Sequence, residues 1–228
     1  MTPPLTGQVV SVQVGRPAPL AWRDTQIPSA IVKHAVTGPV ALGAQGLEGD
    51  AQADLTVHGG PDKAVCCYPV EHLAGLAERI GAELAPGAFG ENLSVRGATE
   101  DAVYIGDVLA LGTAIVQVSQ PRGPCFKLAA RWGHRQLPGI LARECISGYY
   151  LRVLEPGVVA AGDELRLTER RSAVSVADVM RVTYTERRSS EAIRAVLAAD
   201  DLAASWHEVV LGQWRRSAPP IDSFGVED

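Results

Sequence analysis

The chain has 228 residues, 46% of them hydrophobic and 21% charged, with a formal net charge of −5. That is globular composition, long enough to bury a sizeable core without disulfides or structural metals, and it excludes a largely disordered chain. It also argues against a general nucleic-acid binder, which needs excess Lys and Arg to neutralise phosphates, and no apolar run approaches the roughly 20 residues of a membrane helix.

No basic residue precedes Arg16, so the N-terminus lacks the charged-then-apolar order of a signal peptide. Four cysteines are too few for a disulfide framework, and a reducing, cytoplasmic setting is expected. In chain order, residues 8–14, 30–36, 54–58, 93–95, 108–111, 114–118, 149–154 and 164–167 read as short strands rich in Val and Leu. Gly106-Asp107 and Gly162-Asp163 directly precede two of them and read as tight turns, because an Asp side chain bonds nearby backbone N–H groups. Many short strands with such turns predict a barrel or sandwich, mainly β within an α+β class, rather than a doubly wound sheet. A helix is expected over 70–80, opening after Pro69, placing Leu73, Leu76, Ala77 and Ile80 on one face and closing at Gly81. Shorter helices are expected over 126–132 and 137–145.

After Arg171 the pattern turns helical. One helix is expected over 176–182 and a second, capped by Ser189 or Ser190, to about residue 199. A third, over 201–216, carries the stripe Leu202, Trp206, Val209, Val210 and Trp214. The expected organisation is a β-barrel domain over 1–171, a three-helix module over 172–216 that packs on it, and a loose tail over 217–228. A helix-turn-helix reading of the module fails on charge, since residues 174–228 hold 6 basic and 9 acidic groups.

Three segments carry candidate chemistry. The first, residues 120–127, sets Cys125 in a rigid loop between Arg122 and Lys127, preceded by Pro121 and Pro124. Nearby cations favour the thiolate, which is both a nucleophile and a soft-metal ligand. Six basic residues against Glu144 alone fill residues 114–152, which suits a small anionic ligand. The second segment is His58-Gly59-Gly60 with Lys63, where small residues allow close approach to the backbone and exposed N–H groups can bind an anion. The third is Glu91-Asn92, whose carboxylate and amide can read the edge of a heterocycle. Cys66 and Cys67 are neighbours, a poor chelate, and read as structural residues alternating across a strand. Zinc spacing, triad, Walker and dinucleotide-binding signatures are missing.

In this order and combination, residues 46–50, 53–54 and 58–65, then 86–93, 105–107 and 120–127, resemble a MOSC domain. Residues 147–154 and the helical module resemble the YiiM-type branch of that family. The resemblance covers roughly residues 5–215. It implies a barrel-like β core and a bound molybdenum–pterin cofactor, with Cys125 as the metal ligand. Arg122, Lys127, His58, Gly59, Gly60, Lys63 and Asn92 would bind the cofactor, and Glu91 or His58 would relay protons. The implied activity is reduction of N-hydroxylated compounds, such as N-hydroxylated purines, to amines. Partners would be the small-molecule substrate and separate reductase proteins, since no flavin, nicotinamide or iron–sulfur motif is visible; a homodimer is compatible with this. Nucleic acid, membrane and pyridoxal phosphate are not expected. Two further readings use the same residues: a non-catalytic cofactor carrier, and a sulfur carrier holding a Cys125 persulfide. At Cys66-Cys67 the chain departs from the bulky or aromatic residues of the family pattern.

Overall fold

The computed structural model describes residues 5–54, 59–186 and 189–217. Seven strands close into a barrel. They are β1 (Thr6–Val14), β7 (Val65–Pro69), β8 (Leu93–Arg96), β9 (Val108–Leu111), β10 (Ala114–Pro121), β11 (Tyr149–Glu155) and β13 (Glu164–Glu169). Around the ring the order is β13-β9-β10-β11-β7-β8-β1, and β1 pairs back onto β13 to close it. Closure removes the exposed edges that an open sheet would carry. All neighbours are antiparallel except β7 and β8. A parallel pair needs a crossover. Here it contains a 3-10 turn over Val70–His72 and helix α1 (Leu73–Ile80).

The interior is filled by Val9, Val12, Cys67, Leu109, Val116 and Tyr149, among other apolar side chains, all fully buried. Val9 and Val12 are three apart, not two, because β1 bulges between Val9 and Ser11 against β8. A bulge inserts one residue and resets which side chains point inward. The Asp turns form as expected. The Asp107 carboxylate accepts the Tyr104 N–H at 2.9 Å, and Asp163 accepts the Ala160 N–H at 2.8 Å.

Three short antiparallel pieces decorate the barrel: the hairpin β2 (Ala18–Trp22)–β3 (Thr25–Ser29), the strand β4 (His34–Ala35) on β1, and β12 (Gly157–Val159) with β5 (Val40–Gly43) and β6 (Gly46–Leu47). The strand expected over 30–36 is therefore reduced to β4. Residues 30–33 are held by side chains instead of a ladder: Ser29 Oγ accepts the Ile31 N–H, and Arg131 donates to the Ile31 carbonyl. The strand expected over 54–58 falls mostly outside the described residues. The expected helix over 70–80 divides into the 3-10 turn and α1.

Helices α2 (Phe126–Trp132) and α3 (Leu137–Glu144) share a second apolar cluster with α1, built around Tyr68, Leu76, Phe89, Leu128 and Leu141. The C-terminal helices are α4 (Val176–Tyr184), α5 (Ser190–Leu197) and α6 (Ala204–Ser217). Ser175 and Asp178 form a reciprocal capping box on α4, and Ser189 caps α5. Val176, Val182, Ile193, Trp206 and Val210 belong to the same buried cluster as the barrel interior. Among the described residues no helix is long and apolar enough to cross a membrane.

Candidate functional site

At the rim where β7, β11 and β10 end lies a cleft about half open to solvent. Cys125, Arg122, Lys127, Lys63 and Asn92 all line it, so residues from three distant segments meet there. Lys33, Asp50 and Tyr150, which the sequence reading did not propose as site residues, line it too, as does Cys66, which was read as structural. Its wall holds four cations, Lys33, Lys63, Arg122 and Lys127, against one carboxylate, Asp50.

Cys125 is half-buried and caps the N-terminus of α2. It lies just beyond the end of β10, which bulges between Val118 and Gln120 before running into the proline-rich loop. Arg122 reaches back under this loop. Its Nη2 donates to the Phe89 carbonyl, which ties the cysteine loop to the segment preceding Glu91. Its Nη1 is buried and has no hydrogen-bond partner among the described residues. Burial works against the guanidinium charge, but Cys66, Tyr150, Cys125 and Glu91 around it more than compensate and push its pKa upward. Arg122 is therefore a permanent cation with one donor unspent.

The opposite wall is built on Asn92. Its Oδ1 accepts the Cys66 N–H at 3.1 Å, and its Nδ2 donates to Asp50 at 2.8 Å and to the Gln13 carbonyl at 3.3 Å. Asp50 also accepts the Gly15 N–H at 2.8 Å and pairs with Lys33, with both side chains more than nine-tenths buried. A buried pair needs this kind of multiple hydrogen bonding to offset its desolvation. Gly90 completes the wall at φ +76°. A Cβ there would lie 2.7 Å from Ile31 Cγ1 and 2.8 Å from its carbonyl oxygen, so only glycine lets the two segments close.

The thiols divide by face, as strand alternation requires. Cys67 fills the barrel and Cys66 faces the cleft. Burial raises the pKa of Cys66, and burial with the neighbouring Cys66 raises that of Tyr150. Burial lowers the pKa of Lys63, while Asp62 pulls the other way.

Three sequence-derived candidates, Glu91, Gly59 and Gly60, are not part of the cleft wall. Glu91 does not line the cleft. Its carboxylate accepts the Gly87 N–H at 2.6 Å, the Phe89 N–H at 3.0 Å and the Ser94 hydroxyl at 2.7 Å, and so holds the preceding loop in shape. Gly59 and Gly60 are not among the lining residues; from that segment the structure brings Lys63 instead. His58 lies outside the described residues.

A closed seven-stranded barrel with a thiol in a cation-rich cleft at its rim agrees with comparisons to known proteins. A MOSC domain model matches residues 54–166, and a model described as a YiiM-like, 3-alpha helix domain matches residues 174–209. The uncharacterized protein YflK of Bacillus subtilis is 41% identical over 92% of this chain and 96% of its own. Protein YiiM of Escherichia coli is 40% identical, over 86% of this chain and 88% of its own. A Gibberella moniliformis protein named "Reductase" is 36% identical over 73% of this chain, which covers 30% of that longer protein. The crystal structure of YiiM from Geobacillus stearothermophilus superposes with a TM-score of 0.77 at 39% identity, covering 91% of this chain and 98% of that one. The chain belongs to the MOSC-domain family, whose function is molybdenum-related. Within it, the helical C-terminus and these relatives place the chain in the YiiM-like group.

Proposed function

We propose that this protein binds a molybdenum–pterin cofactor in the rim cleft and reduces N-hydroxylated compounds, N-hydroxylated purines among them, to amines. The observation that carries the reading is the pairing of a half-buried thiol, Cys125, with the unpartnered, buried Nη1 of Arg122 in one cation-rich cleft. The donor set fits such a group. A thiolate is a soft ligand suited to a heavy metal, and a phosphate suits a pocket with four cations and one carboxylate. Among the described residues no cluster of three or more His, Cys, Asp or Glu could hold a bare ion. The wall therefore suits a metal that arrives with its own ligands and takes one from the protein. Bound there, the cofactor would supply the two electrons of the conversion R–NHOH + 2e⁻ + 2H⁺ → R–NH₂ + H₂O.

The chain's own residues would then divide the work. Cys125 holds the metal, while Arg122, Lys63 and Lys127 hold the anionic end of the cofactor. Asn92, fully engaged with Cys66, Asp50 and Gln13, keeps the wall in place and has little capacity left to read a ligand. Electrons come from separate reductase proteins, in keeping with a chain whose described cysteines are all free thiols, as a cytoplasmic protein's are.

The test is molybdenum analysis of protein purified from a host that makes the cofactor, beside a Cys125→Ser variant, with reduction of an N-hydroxylated purine measured on both. The expected result is near-stoichiometric metal and activity in the native protein and loss of both in the variant. An active, molybdenum-loaded Cys125→Ser protein overturns the assignment of Cys125. A sulfur-loaded Cys125 with no molybdenum in either sample replaces the enzyme reading with a sulfur carrier.

A further inference from the structure

Glu100 lies outside the cleft and outside every motif singled out in the sequence. It is 1% exposed. One carboxylate oxygen is 2.7 Å from His72 Nε2, and the other accepts the Gly148 N–H at 2.7 Å. The turn it grips is the partner of the cysteine loop. The Gly148 carbonyl accepts the Arg122 N–H at 2.9 Å, and the Ser147 hydroxyl donates to the Arg122 carbonyl. Both backbone groups of Arg122 thus hang from residues 147–148. Gly148 has φ +83°, and a Cβ there would lie 2.3 Å from the Cys67 carbonyl oxygen, so Gly148 itself carries no side chain with which to anchor its end of the turn. An outside acceptor has to fix it.

We propose that Glu100 is the positioning residue of the 120–127 loop: oriented by His72, its buried carboxylate fixes Gly148, and through Gly148 it sets Arg122 and the cysteine that follows. A purely stabilising role explains the residue poorly, because a buried carboxylate carries a desolvation cost that an apolar side chain would not. What a carboxylate does that an apolar group cannot is accept from an amide and an imidazole at once. The surrounding charges leave that geometry in place. Glu71 sits on the same 3-10 turn as His72, Asp101 follows Glu100, and Asp101 is itself held by Arg181 of α4, which also pairs with Asp178. The Tyr68 ring meets the imidazole edge-on at 5.9 Å. The Glu100 backbone adds a further tie, its carbonyl accepting the Ala177 N–H of α4 at 2.9 Å.

The significance of this loop rests on the functional reading of the cleft, but the test reads the loop itself. Hydrogen–deuterium exchange is measured on the full-length native chain and on Glu100→Ala and Glu100→Gln, well below the unfolding temperature. Glu100→Ala is expected to speed exchange in the peptide covering residues 120–127 by about ten-fold or more, with β1 and β13 unchanged. Glu100→Gln keeps an oxygen for the Gly148 amide and is expected to restore most of the protection. Unchanged exchange in the loop, an equal rise across the barrel, or a Gln variant no better than Ala overturns the proposal. Should Glu100→Ala fail to fold, His72→Ala releases the carboxylate from its second partner. It is expected to raise exchange in the same peptide by about three-fold, and no rise there overturns the proposal equally. Molybdenum content measured on the same samples reports separately on the cofactor. A loop that loosens as expected in protein carrying no molybdenum leaves the positioning role standing and removes the cofactor reading.

Discussion

A guanidinium buried with one donor unspent is an expensive thing to keep in a protein interior. Arg122 Nη2 satisfies the Phe89 carbonyl, yet Nη1 has no partner among the described residues. Replacing such a charge by an apolar side chain of similar volume relieves its desolvation penalty. Against this stands the Phe89 carbonyl, which would lose its donor at a cost of about 1–3 kcal/mol. Arg122→Met is therefore expected to unfold in urea within about 2 kcal/mol of the native protein. It is also expected to lose most of its molybdenum when purified from a cofactor-producing host. A variant that keeps its metal would show that the buried charge serves the fold alone. At this scale the sequence was informative where one short segment held the chemistry: the order Pro-Arg-Gly-Pro-Cys-Phe-Lys marked Cys125, Arg122 and Lys127 without any tertiary information. Lys33, Asp50, Cys66 and Tyr150 were not legible in the same way. Each comes from a different part of the chain, and Asp50 is fixed as a wall residue by partners remote in sequence, Asn92 42 positions away among them. Glu91 misled for the opposite reason. Its neighbours in sequence suggested a ligand contact, while its hydrogen bonds are spent within its own loop.

The elements that matter most to the loop are helices remote from it in sequence. Trp206 of α6 and the hydroxyl of Tyr184 of α4 stand against Gly123, each 3.8 Å from where a Cβ would be, and their rings meet edge-on at 6.3 Å. The Ala203 N–H bonds the Ser119 carbonyl at 2.9 Å, and Ser205 Oγ lies 3.2 Å from Gln120 Oε1. The C-terminal helices therefore back the outer side of the same loop that residues 147–148 hold from within. Trp206 is 7% exposed, and truncating a buried tryptophan to alanine costs about 3–5 kcal/mol. Trp206→Ala is expected to lower the urea midpoint accordingly and to speed exchange of the loop amides. A variant with the native midpoint would mean that this contact carries no weight. These helices were readable because Leu202, Trp206 and Val210 recur at four-residue spacing and all three are buried. Val209 shares the stripe in sequence but is 46% exposed, since the stripe is broader than the face that packs. The β2–β3 hairpin escaped notice because its usual signals are missing. Its two-residue turn is Arg23-Asp24, with Arg23 at φ 53° where glycine or asparagine is the common choice, and Pro19 and Pro28 oppose each other across the ribbon.

For the molecule as a whole, one buried cluster runs from the barrel interior into the C-terminal helices, so barrel and helices should share their stability. The His72–Glu100 pair sits at that junction, with Glu100 bonded by its side chain to His72 and Gly148 and by its carbonyl to α4. This makes part of the global stability pH-dependent, with a definite sign. Burial pulls the His72 pKa down, but the hydrogen bond and charge of Glu100, aided by Glu71 and Asp101, outweigh it and raise the pKa above the ordinary histidine value of 6.5. The folded protein therefore holds this proton more tightly than the unfolded chain does. The resulting stabilisation is fully present below the unfolded pKa and is lost as pH rises through the higher folded pKa. His72→Gln keeps a polar side chain beside Glu100 but cannot titrate. The gap between native and variant urea midpoints is thus expected to be widest near pH 6 and to narrow steadily toward about pH 9. A gap that stays constant with pH, or widens as pH rises, would mean that His72 enters the folded state as the neutral imidazole. The barrel and the C-terminal helices would then be joined at Glu100 by hydrogen bonds alone, with no net charge pairing across the junction.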